Sequence, residues 1–385
     1  MRIAIVHDWL DTWRGGENAL AEVLAIYPHA DLYALVDFLS PELRGRVLGK
    51  HAHTSFLQRL PGAVRYFRAL LPLFPRAIES LDVGGYDLVI SISHAVAKGV
   101  RTHSGQLHLC YCLSPMRYVW DLRETYLDSA GALRGPGRAL ADAILDRLQR
   151  WDVASSVGVD GFIAISEYIR QRIHRCYNRD AAVIYPPVDV DYFSRGTGQR
   201  SRHSYLTASH WVPYKRLDLM VDAFRTMPER RLIVAGEGPE LRQARTAAGS
   251  NIEFVGEVPR ERLRELMRNA RAFVFAADED FGITPVEAQA CGTPVIAYAR
   301  GGVVETVRGL DAAHPTGVFF RDRSPAAIRA AVATFEQLPE PIGVAACVSN
   351  AERFARELFR NRFAGHVAAA LRGFPAGRAP RVSPC

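Results

Sequence analysis

The sequence lacks the features of a membrane-spanning or secreted protein. It contains no run of about 18 consecutive apolar residues, the length that a helix needs to cross a bilayer. The first residues, MRIAIVHDWL, lack the basic start, the long apolar segment and the small-residue cleavage site of a secretory signal. The six cysteines show no CxxC or other zinc-binding spacing. We therefore expect a cytoplasmic protein with reduced thiols.

Two cofactor motifs are also missing. Gly15 and Gly16, after the first predicted strand, do not form a G-x-G-x-x-G pattern, so a bound nicotinamide or flavin dinucleotide is not supported. The DVD stretch at Asp189 lies in a region predicted to join two domains. We therefore assign no Asp-x-Asp metal site and expect no metal requirement.

The bulk composition limits the possible classes of protein. The chain has 385 residues, 48% of them hydrophobic and 23% charged, which is typical of a globular protein with two domains. Its formal net charge of +7 suits a nucleic acid, an anionic membrane surface or an anionic substrate. The arginines are scattered and no RNA- or DNA-binding motif is present, so a nonenzymatic nucleic-acid-binding protein is an alternative that we do not favour.

Short β-branched segments alternate with helical patterns along the chain, which is typical of an α/β fold with parallel sheets. The predicted strands are RIAIVHD, DLYALV, YDLVISIS, LHLCYC, DGFIAISE, AAVIYPP, SYLTAS, RRLIVAG, NIEFVGE, RAFVFAA and TPVIAYA. Helices are predicted at 217–224, 240–247, 260–270 and 284–290. We predict two doubly wound, Rossmann-like domains that face each other across a cleft, with ligands at the carboxyl ends of the strands.

The predicted domain boundaries follow the polar and aperiodic segments. The first domain is predicted at 1–193, a polar linker at 194–204 and the second domain at 205–350. A C-terminal helix near 351–372 is expected to pack back on the first domain. The tail at 373–385, rich in proline, glycine and arginine, is expected to be disordered.

The stretch EDFGITPVE, from Glu279 to Glu287, lies between a predicted strand and a predicted helix. Thr284, Pro285 and Glu287 fit a T-x-x-E capping box with proline in the first helical position, which explains Glu287 by helix capping alone. That explanation leaves Glu279 and the glycine of the loop unaccounted for. A helix N-terminus after a parallel strand suits phosphate, whereas flanking carboxylates accept hydrogen bonds from sugar hydroxyls. The stretch therefore predicts a sugar-nucleotide ligand.

The E-x7-E spacing of this stretch, followed by AQACGTPVIAYARGG, resembles the donor site of retaining family 4 glycosyltransferases, which have the two-domain GT-B fold. Further elements agree in the same order along the chain: GGE, SISHAVAKGV, ISEYIRQRI, IYPPVD, WVPYKRLDLMVDAF and GEGP. The resemblance extends from Met1 to about Gly365. Within the family, HDW, SHAVAKGV and SPMRYVWD most resemble bacterial GDP-mannose-dependent mannosyltransferases of surface polysaccharide assembly.

The resemblance assigns roles to individual residues. His94, Lys215 and Glu279 take the catalytic positions, where they bind the transferred sugar, the pyrophosphate and the sugar hydroxyls, respectively. Glu287 takes the position that binds both ribose hydroxyls. The remaining donor-site positions are Gly15, Gly16, His210, Arg216, Val258, Phe281, Gly282, Ile283 and Thr284.

The family's reaction is front-face substitution, in which the diphosphate leaves while an acceptor hydroxyl enters on the same side of the sugar. The resemblance implies a hexosyltransferase that takes mannose from GDP-mannose, without a cofactor or metal, for a lipid-linked or polysaccharide glycan acceptor. His210 stands where the family more often has arginine, which leaves its phosphate role open, and Arg216 is a candidate to replace it. A sugar-nucleotide 2-epimerase of the same architecture is the alternative enzyme.

We predict that the acceptor substrate binds to the first domain. Residues 56–76, FLQRLPGAVRYFRALLPLFPR, contain four arginines and no acidic residue. With Arg65 and Arg68 on one helical face, this segment fits either an anionic bilayer interface or a helix packed on the sheet. The first alternative implies a peripheral position on the inner face of the plasma membrane. Further acceptor candidates, without an assigned role, are Arg117, Trp120 and Asp121.

Overall fold

The computed structural model describes residues 1–121, 123–124, 127, 136–194, 196 and 203–374. They form two compact units. The first comprises Met1–Pro186 together with the chain from Phe359 onward, and the second comprises Pro187–Leu358. Both are α/β units with parallel sheets, as the alternation in the sequence predicts.

The described residues of the first unit form a seven-stranded sheet whose paired strands are parallel. Its strands are β1 (Ile3–His7), β2 (Asp31–Ala34), β3 (His53–Thr54), β4 (Leu88–Ser93), β5 (Leu107–Cys112), β6 (Gly161–Ala164) and β7 (Ala181–Val183). Their order across the sheet is β3-β2-β1-β4-β5-β6-β7. Every residue of β4 and β5 is buried, because a central parallel strand is covered on both faces.

Helices and short 3-10 turns connect these strands. The helices are α1 (Gly15–Ile26), α2 (Pro41–Arg44), α3 (Ala63–Tyr66), α4 (Phe74–Glu79), α5 (Pro136–Ser156) and α6 (Glu167–Tyr177). The 3-10 turns of this unit are Gly45–Val47, Phe56–Arg59, Phe67–Leu73 and Ala97–Gly99.

The second unit contains a six-stranded sheet in its described residues. Its strands are β8 (Ser204–Ala208), β9 (Arg231–Ala235), β10 (Ile252–Gly256), β11 (Ala270–Phe275), β12 (Val295–Tyr298) and β13 (Gly317–Phe320). Its helices are α7 (Leu217–Phe224), α8 (Leu241–Ala247), α9 (Arg260–Asn269), α10 (Ile283–Ala290), α11 (Val303–Thr306), α12 (Pro325–Glu336) and α13 (Val344–Glu352). The strand order is β10-β9-β8-β11-β12-β13, again with parallel pairing.

The C-terminal helix α14 (Arg356–Gly373) associates with the first unit from Phe359 onward. The rings of Phe359 and Phe363 lie edge-on to Tyr111 of β5, with centroids 5.6 and 5.7 Å away. Arg360 Nε lies 2.5 Å from Glu22 Oε2 of α1. Apolar contact and an ion pair thus fix the helix on this unit, which is where the sequence predicts it to pack.

The boundary between the units lies at Pro187, earlier than the predicted end of the first domain at residue 193. Asp189 belongs to the second unit because its carboxylate pairs with Arg260 and Arg356, at 3.1 and 2.9 Å. Residues 195 and 197–202 of the predicted linker at 194–204 lie outside the described residues, as do residues 375–385 of the predicted tail at 373–385. Gly373, the first residue of that predicted tail, ends helix α14.

In both sheets the strand order reverses direction between two central neighbours. The reversal falls between β1 and β4 in the first unit and between β8 and β11 in the second. The loops that follow such a strand pair leave in opposite directions and open a crevice at the carboxyl ends, which is where ligands bind in doubly wound sheets.

Candidate functional site

At the reversal point of the second sheet, an ion pair joins the loops after β8 and β11. Lys215 is the last residue of a 3-10 turn, Pro213–Lys215, and Glu279 lies four residues beyond β11. The ammonium Nζ of Lys215 contacts Oε1 of Glu279, and the two side chains are only 13% and 18% exposed. The structure therefore brings together two of the three predicted catalytic residues.

Helix α10 begins one residue earlier than the sequence predicts. Ile283 is the first helical residue, and Gly282 caps the helix in a left-handed conformation with φ 86°, without a side-chain cap. The predicted capping box is therefore wrong: Thr284 and Pro285 are the second and third helical residues. The reason is that glycine adopts the left-handed turn at little cost, so the chain enters the helix before Thr284.

Glu287 consequently has no capping role. Its side chain is half-buried, and within the described part of the chain its carboxylate has no hydrogen bond or ion pair. Burial raises the pKa of Glu287 to about 7, and Asp189 adds to the rise while Arg260 opposes it. A carboxyl group in this position can accept hydrogen bonds from a ligand.

Two glycines after β12 hold the Glu279 loop in place. A Cβ on Gly301, whose φ is 83°, would lie 2.3 Å from the carbonyl oxygen of Glu279. A Cβ on Gly302 would lie 2.4 Å from the oxygen of Asp280, and the Gly302 N–H donates to the Glu279 oxygen at 2.7 Å. Sequence reasoning assigned these glycines no role, although the GG pair after a strand is the signal for such a close approach.

Two further glycines shape the loop after β8. A Cβ on Gly236, whose φ is 107°, would lie 1.9 Å from the Ser209 oxygen, and one on Gly238 would lie 2.2 Å from the Trp211 oxygen. The GEGP stretch therefore packs directly on the backbone that carries the half-buried His210.

The other predicted donor-site residues occupy different environments. Arg216 pairs with Asp218 at 2.8 Å, so its guanidinium is held by an acid of α7. Phe281 is buried and its ring lies 5.4 Å from that of Phe354, which makes the side chain part of the core rather than of a pocket wall. Ile283 and Thr284 at the start of α10 are half-buried, as is Val258 in the loop after β10.

The stretch Asp278–Asp280 also has Asp-x-Asp spacing, which the sequence interpretation overlooked. Asp278 pairs with Arg300 and Arg323, at 3.0 and 3.2 Å, rather than facing a shared centre with its neighbours. Among the residues described, no group of three or more histidine, cysteine or acidic side chains is arranged to hold a metal ion.

The reversal point of the first sheet carries a second acid–base pair, between Asp8 and His94. Asp8 follows β1 and is fully buried. Its carboxylate accepts hydrogen bonds from four backbone N–H groups of the loop after β4. The donors are His94, Ala95, Val96 and Ala97, at 2.6, 3.1, 2.6 and 2.7 Å. Sequence reasoning missed Asp8; the HDW stretch was noted only as part of the family resemblance.

Asp8 also fixes the ring of His94, whose Nδ1 lies 2.9 Å from Asp8 Oδ2. Burial lowers the pKa of His94, but the charge and hydrogen bond of Asp8 outweigh it and the pKa is raised. Burial raises the pKa of Asp8, but the charge and hydrogen bonds of His94 lower it. The net result is a pKa below the usual value of an aspartate. His94 is 31% exposed, so its ring remains accessible.

Gly15 and Gly16 form the start of helix α1. A Cβ on Gly16 would lie 2.7 Å from Leu113 Cδ1, so packing alone favours glycine there. The buried Glu17 accepts the Arg14 N–H at 2.7 Å and lies 3.4 Å from His7 Nε2. The glycine backbone is thus anchored at the carboxyl end of β1.

Two of the acceptor candidates are engaged within the first unit. The Trp120 indole donates to Asp152 at 2.8 Å, and Asp152 also pairs with the buried Lys98 at 2.7 Å. Asp121 pairs with Arg172 and Arg175. Arg117 is half-buried. Both candidates therefore have structural partners within the first unit, although Asp121 is also exposed.

The basic segment 56–76 folds as several short turns rather than one helix. Arg65 lies in α3, whereas Arg68 lies in the following 3-10 turn and pairs with Asp11, so the predicted shared helical face is wrong. The kink at Leu70 and the proline Pro72 interrupt a longer helix. Throughout the described ranges, no helix is both long and apolar enough to cross a bilayer.

Comparison with known families and sequences gives matches to glycosyltransferases. Residues 200–360 match the family described as glycosyl transferases group 1. A D-inositol 3-phosphate glycosyltransferase of Mycobacteroides abscessus is 30% identical over 192 residues, 45% of this chain and 41% of that protein. A GDP-mannose-dependent alpha-(1-6)-phosphatidylinositol monomannoside mannosyltransferase of Mycolicibacterium smegmatis is 30% identical over 174 residues, 37% of this chain and 45% of that protein. The chain spans about half the length of the curated relatives it matches.

Solved structures resemble nearly the whole chain. Anabaena Alr3699/HepE, in complex with UDP and glucose, has a TM-score of 0.69 at 16% identity, covering 96% of this chain and 100% of that one. Sucrose-phosphate synthase from Thermosynechococcus elongatus has a TM-score of 0.64 at 17% identity, covering 97% and 100%. These likenesses confirm the predicted fold class, the α/β GT-B fold.

Replacing Gly302 by alanine tests the close packing beneath the Glu279 loop. The new Cβ would overlap the backbone of Asp280, so we expect the free energy of unfolding to fall by about 1–3 kcal/mol. Urea unfolding measures the loss. Gly343→Ala is the matched control, since no atom lies within 4 Å of its added Cβ. Equal stability of the two variants would contradict the packing described here.

Proposed function

We propose that this chain, whose residues 200–360 match the family described as glycosyl transferases group 1, is a retaining hexosyltransferase. In this proposal a sugar nucleotide binds where the strand order of the second sheet reverses, at the start of α10. The observation that carries the proposal is Glu287: a half-buried acid with a raised pKa, no capping role and no partner among the described residues. Such a group is costly unless a ligand satisfies it.

Each residue of the site then has a chemical role. The carboxylate of Glu287 accepts hydrogen bonds from the two ribose hydroxyls. The carboxylate of Glu279 accepts hydrogen bonds from hydroxyls of the transferred sugar. The Lys215 ammonium and the N–H groups at the start of α10 stabilise the diphosphate. Pro285 has no N–H, so Ile283 and Thr284 supply donors in the first turn. For His94, whose ring Asp8 orients within the first unit, we keep the role that the family resemblance implies, a hydrogen bond with the transferred sugar.

The reaction is a front-face substitution at the anomeric carbon. The bond from this carbon to the diphosphate oxygen breaks, and a bond to the acceptor oxygen forms on the same face. The proton of the acceptor hydroxyl passes to the departing diphosphate, whose growing charge Lys215 offsets. The protein contributes by positioning and electrostatics, and we propose that no metal or other cofactor takes part.

GDP-mannose is the proposed donor, and a lipid-linked or polysaccharide glycan is the proposed acceptor. The similarity of part of the chain to a mannosyltransferase supports this choice, since that relative is named for GDP-mannose and a phosphatidylinositol monomannoside. UDP-glucose is the competing donor, because Alr3699/HepE was solved with UDP and glucose.

A radiolabelled transfer assay tests the activity. We expect label from GDP-mannose to enter a lipid-linked glycan fraction, with the anomeric configuration retained and the rate unchanged by EDTA. Loss of activity in EDTA would overturn metal independence. Conversion of GDP-mannose without any acceptor would instead indicate an epimerase. Transfer from UDP-glucose but not from GDP-mannose would identify UDP-glucose as the donor.

Glu287→Gln tests the assignment of the ribose-binding acid. We expect sugar-nucleotide affinity to fall roughly 10- to 100-fold, because charged hydrogen bonds are replaced by neutral ones. In the wild type, affinity should rise about tenfold between pH 6 and pH 8, because the carboxyl group ionises as the pH passes its raised pKa of about 7. The variant should lack this pH dependence. Calorimetric titration with GDP-mannose and UDP-glucose measures both effects.

The stability of the same variant separates a binding role from a structural one. A raised carboxyl pKa means that ionised Glu287 disfavours folding at pH 8, so Glu287→Gln should be at least as stable as the wild type there. Glu340→Gln, an exposed position of the same unit, is the matched control. If Glu287→Gln is less stable than the wild type and binds the sugar nucleotide with unchanged affinity, the role of Glu287 is structural.

We also propose that the enzyme works in the cytoplasm, at the inner face of the plasma membrane. Phe56, Val64, Tyr66 and Leu73 are 42%, 56%, 40% and 37% exposed within the basic segment 56–76. Among the same turns, the side chains of Arg59, Arg65 and Arg76 are exposed. Exposed apolar groups beside arginines suit an anionic bilayer interface, where a lipid-linked acceptor is found.

Liposome flotation tests this surface. We expect salt-sensitive binding to vesicles containing anionic lipids. Binding should weaken at least about thirtyfold for Arg59→Glu/Arg65→Glu, since each arginine contributes about 1 kcal/mol near such a surface and the new acids are repelled by it. Arg242→Glu, an exposed position of the second unit, is the control. Equal flotation of wild type and double variant would reject the assignment.

A further inference from the structure

The ion pair between Lys215 and Glu279 joins two groups that the proposed function assigns to neighbouring parts of the donor. Lys215 is assigned to the diphosphate and Glu279 to the sugar, yet their charged atoms contact each other. Both side chains are largely buried, so water screens the interaction weakly. The second unit contains no other lysine that would replace Lys215.

A diphosphate that binds Lys215 must therefore compete with Glu279 for the same ammonium. It also brings its negative charge close to the carboxylate, and two anions in one site repel each other. A sugar attached to the diphosphate relieves this conflict because its hydroxyls donate hydrogen bonds to Glu279. A free nucleoside diphosphate offers no such donors at this position.

We propose that Glu279 is a specificity-determining residue that favours the sugar-bearing nucleotide over the free nucleoside diphosphate by competing for Lys215. This inference rests on the proposed function and extends it to product release. While the sugar is present, its hydroxyls satisfy Glu279 and Lys215 holds the diphosphate. Once the sugar has been transferred, Glu279 again forms its ion pair with Lys215, which lowers the affinity for the nucleoside diphosphate.

Glu279→Gln tests the competition, because glutamine keeps the size of the side chain and removes its charge. We expect the Kd for GDP or UDP to fall roughly five- to tenfold, since the ammonium no longer has an acidic competitor. The Kd for GDP-mannose or UDP-glucose should fall less or rise, because the charged acceptor of the hydroxyls is lost. The ratio of diphosphate Kd to sugar-nucleotide Kd should therefore fall about tenfold.

Calorimetric titration of the full chain with these four nucleotides gives each Kd, and the stoichiometry reports the folded fraction. Glu340→Gln makes the same chemical change at an exposed position of the same unit and should leave the ratio unchanged. Parallel shifts for diphosphate and sugar nucleotide in Glu279→Gln, or weaker diphosphate binding, would overturn the inference while leaving the proposed function intact. A wild-type protein that binds none of the four would overturn both.

Discussion

The ion pair between Lys215 and Glu279 is possible because the second sheet reverses its strand order between β8 and β11. The loops after these strands carry the two charges, and the crevice between such loops is where a ligand reaches several strand ends at once. The first unit repeats the arrangement with Asp8 after β1 and His94 after β4. In each unit a basic and an acidic side chain therefore lie together at the position where the topology alone predicts a ligand.

Close backbone packing supports these charged groups. The Glu279 loop rests on Gly302, and the loop carrying His210 rests on Gly236; at either position a Cβ would collide with a carbonyl oxygen. In the first unit, Asp8 serves the same purpose with hydrogen bonds, since its carboxylate binds four successive N–H groups. Preorganised donors and acceptors of this kind lose little entropy on binding, which is what catalysis by positioning requires.

Periodicity predicted the α/β class and helix α7 with its observed bounds, and strand-end reasoning predicted a site that stays a prediction. The strands β3 and β13 were missed; β3 has only two residues, too few for a pattern to emerge, whereas β13 is as long as strands that were predicted. The capping box at Thr284 was wrong because the left-handed turn at Gly282 depends on loop geometry that spacing does not encode. Contacts between distant segments, such as Asp8 with the His94 loop or Gly302 with Asp280, became visible only in three dimensions.

A crystal structure of the chain with bound GDP-mannose or UDP-glucose tests the central claim most directly. The account predicts ribose hydroxyls within hydrogen-bonding distance of the Glu287 carboxylate, the diphosphate against Lys215 and the first turn of α10, and the sugar beside Glu279. A sugar nucleotide bound away from α10, with Glu287 still lacking a contact and Lys215 still paired with Glu279, would contradict it.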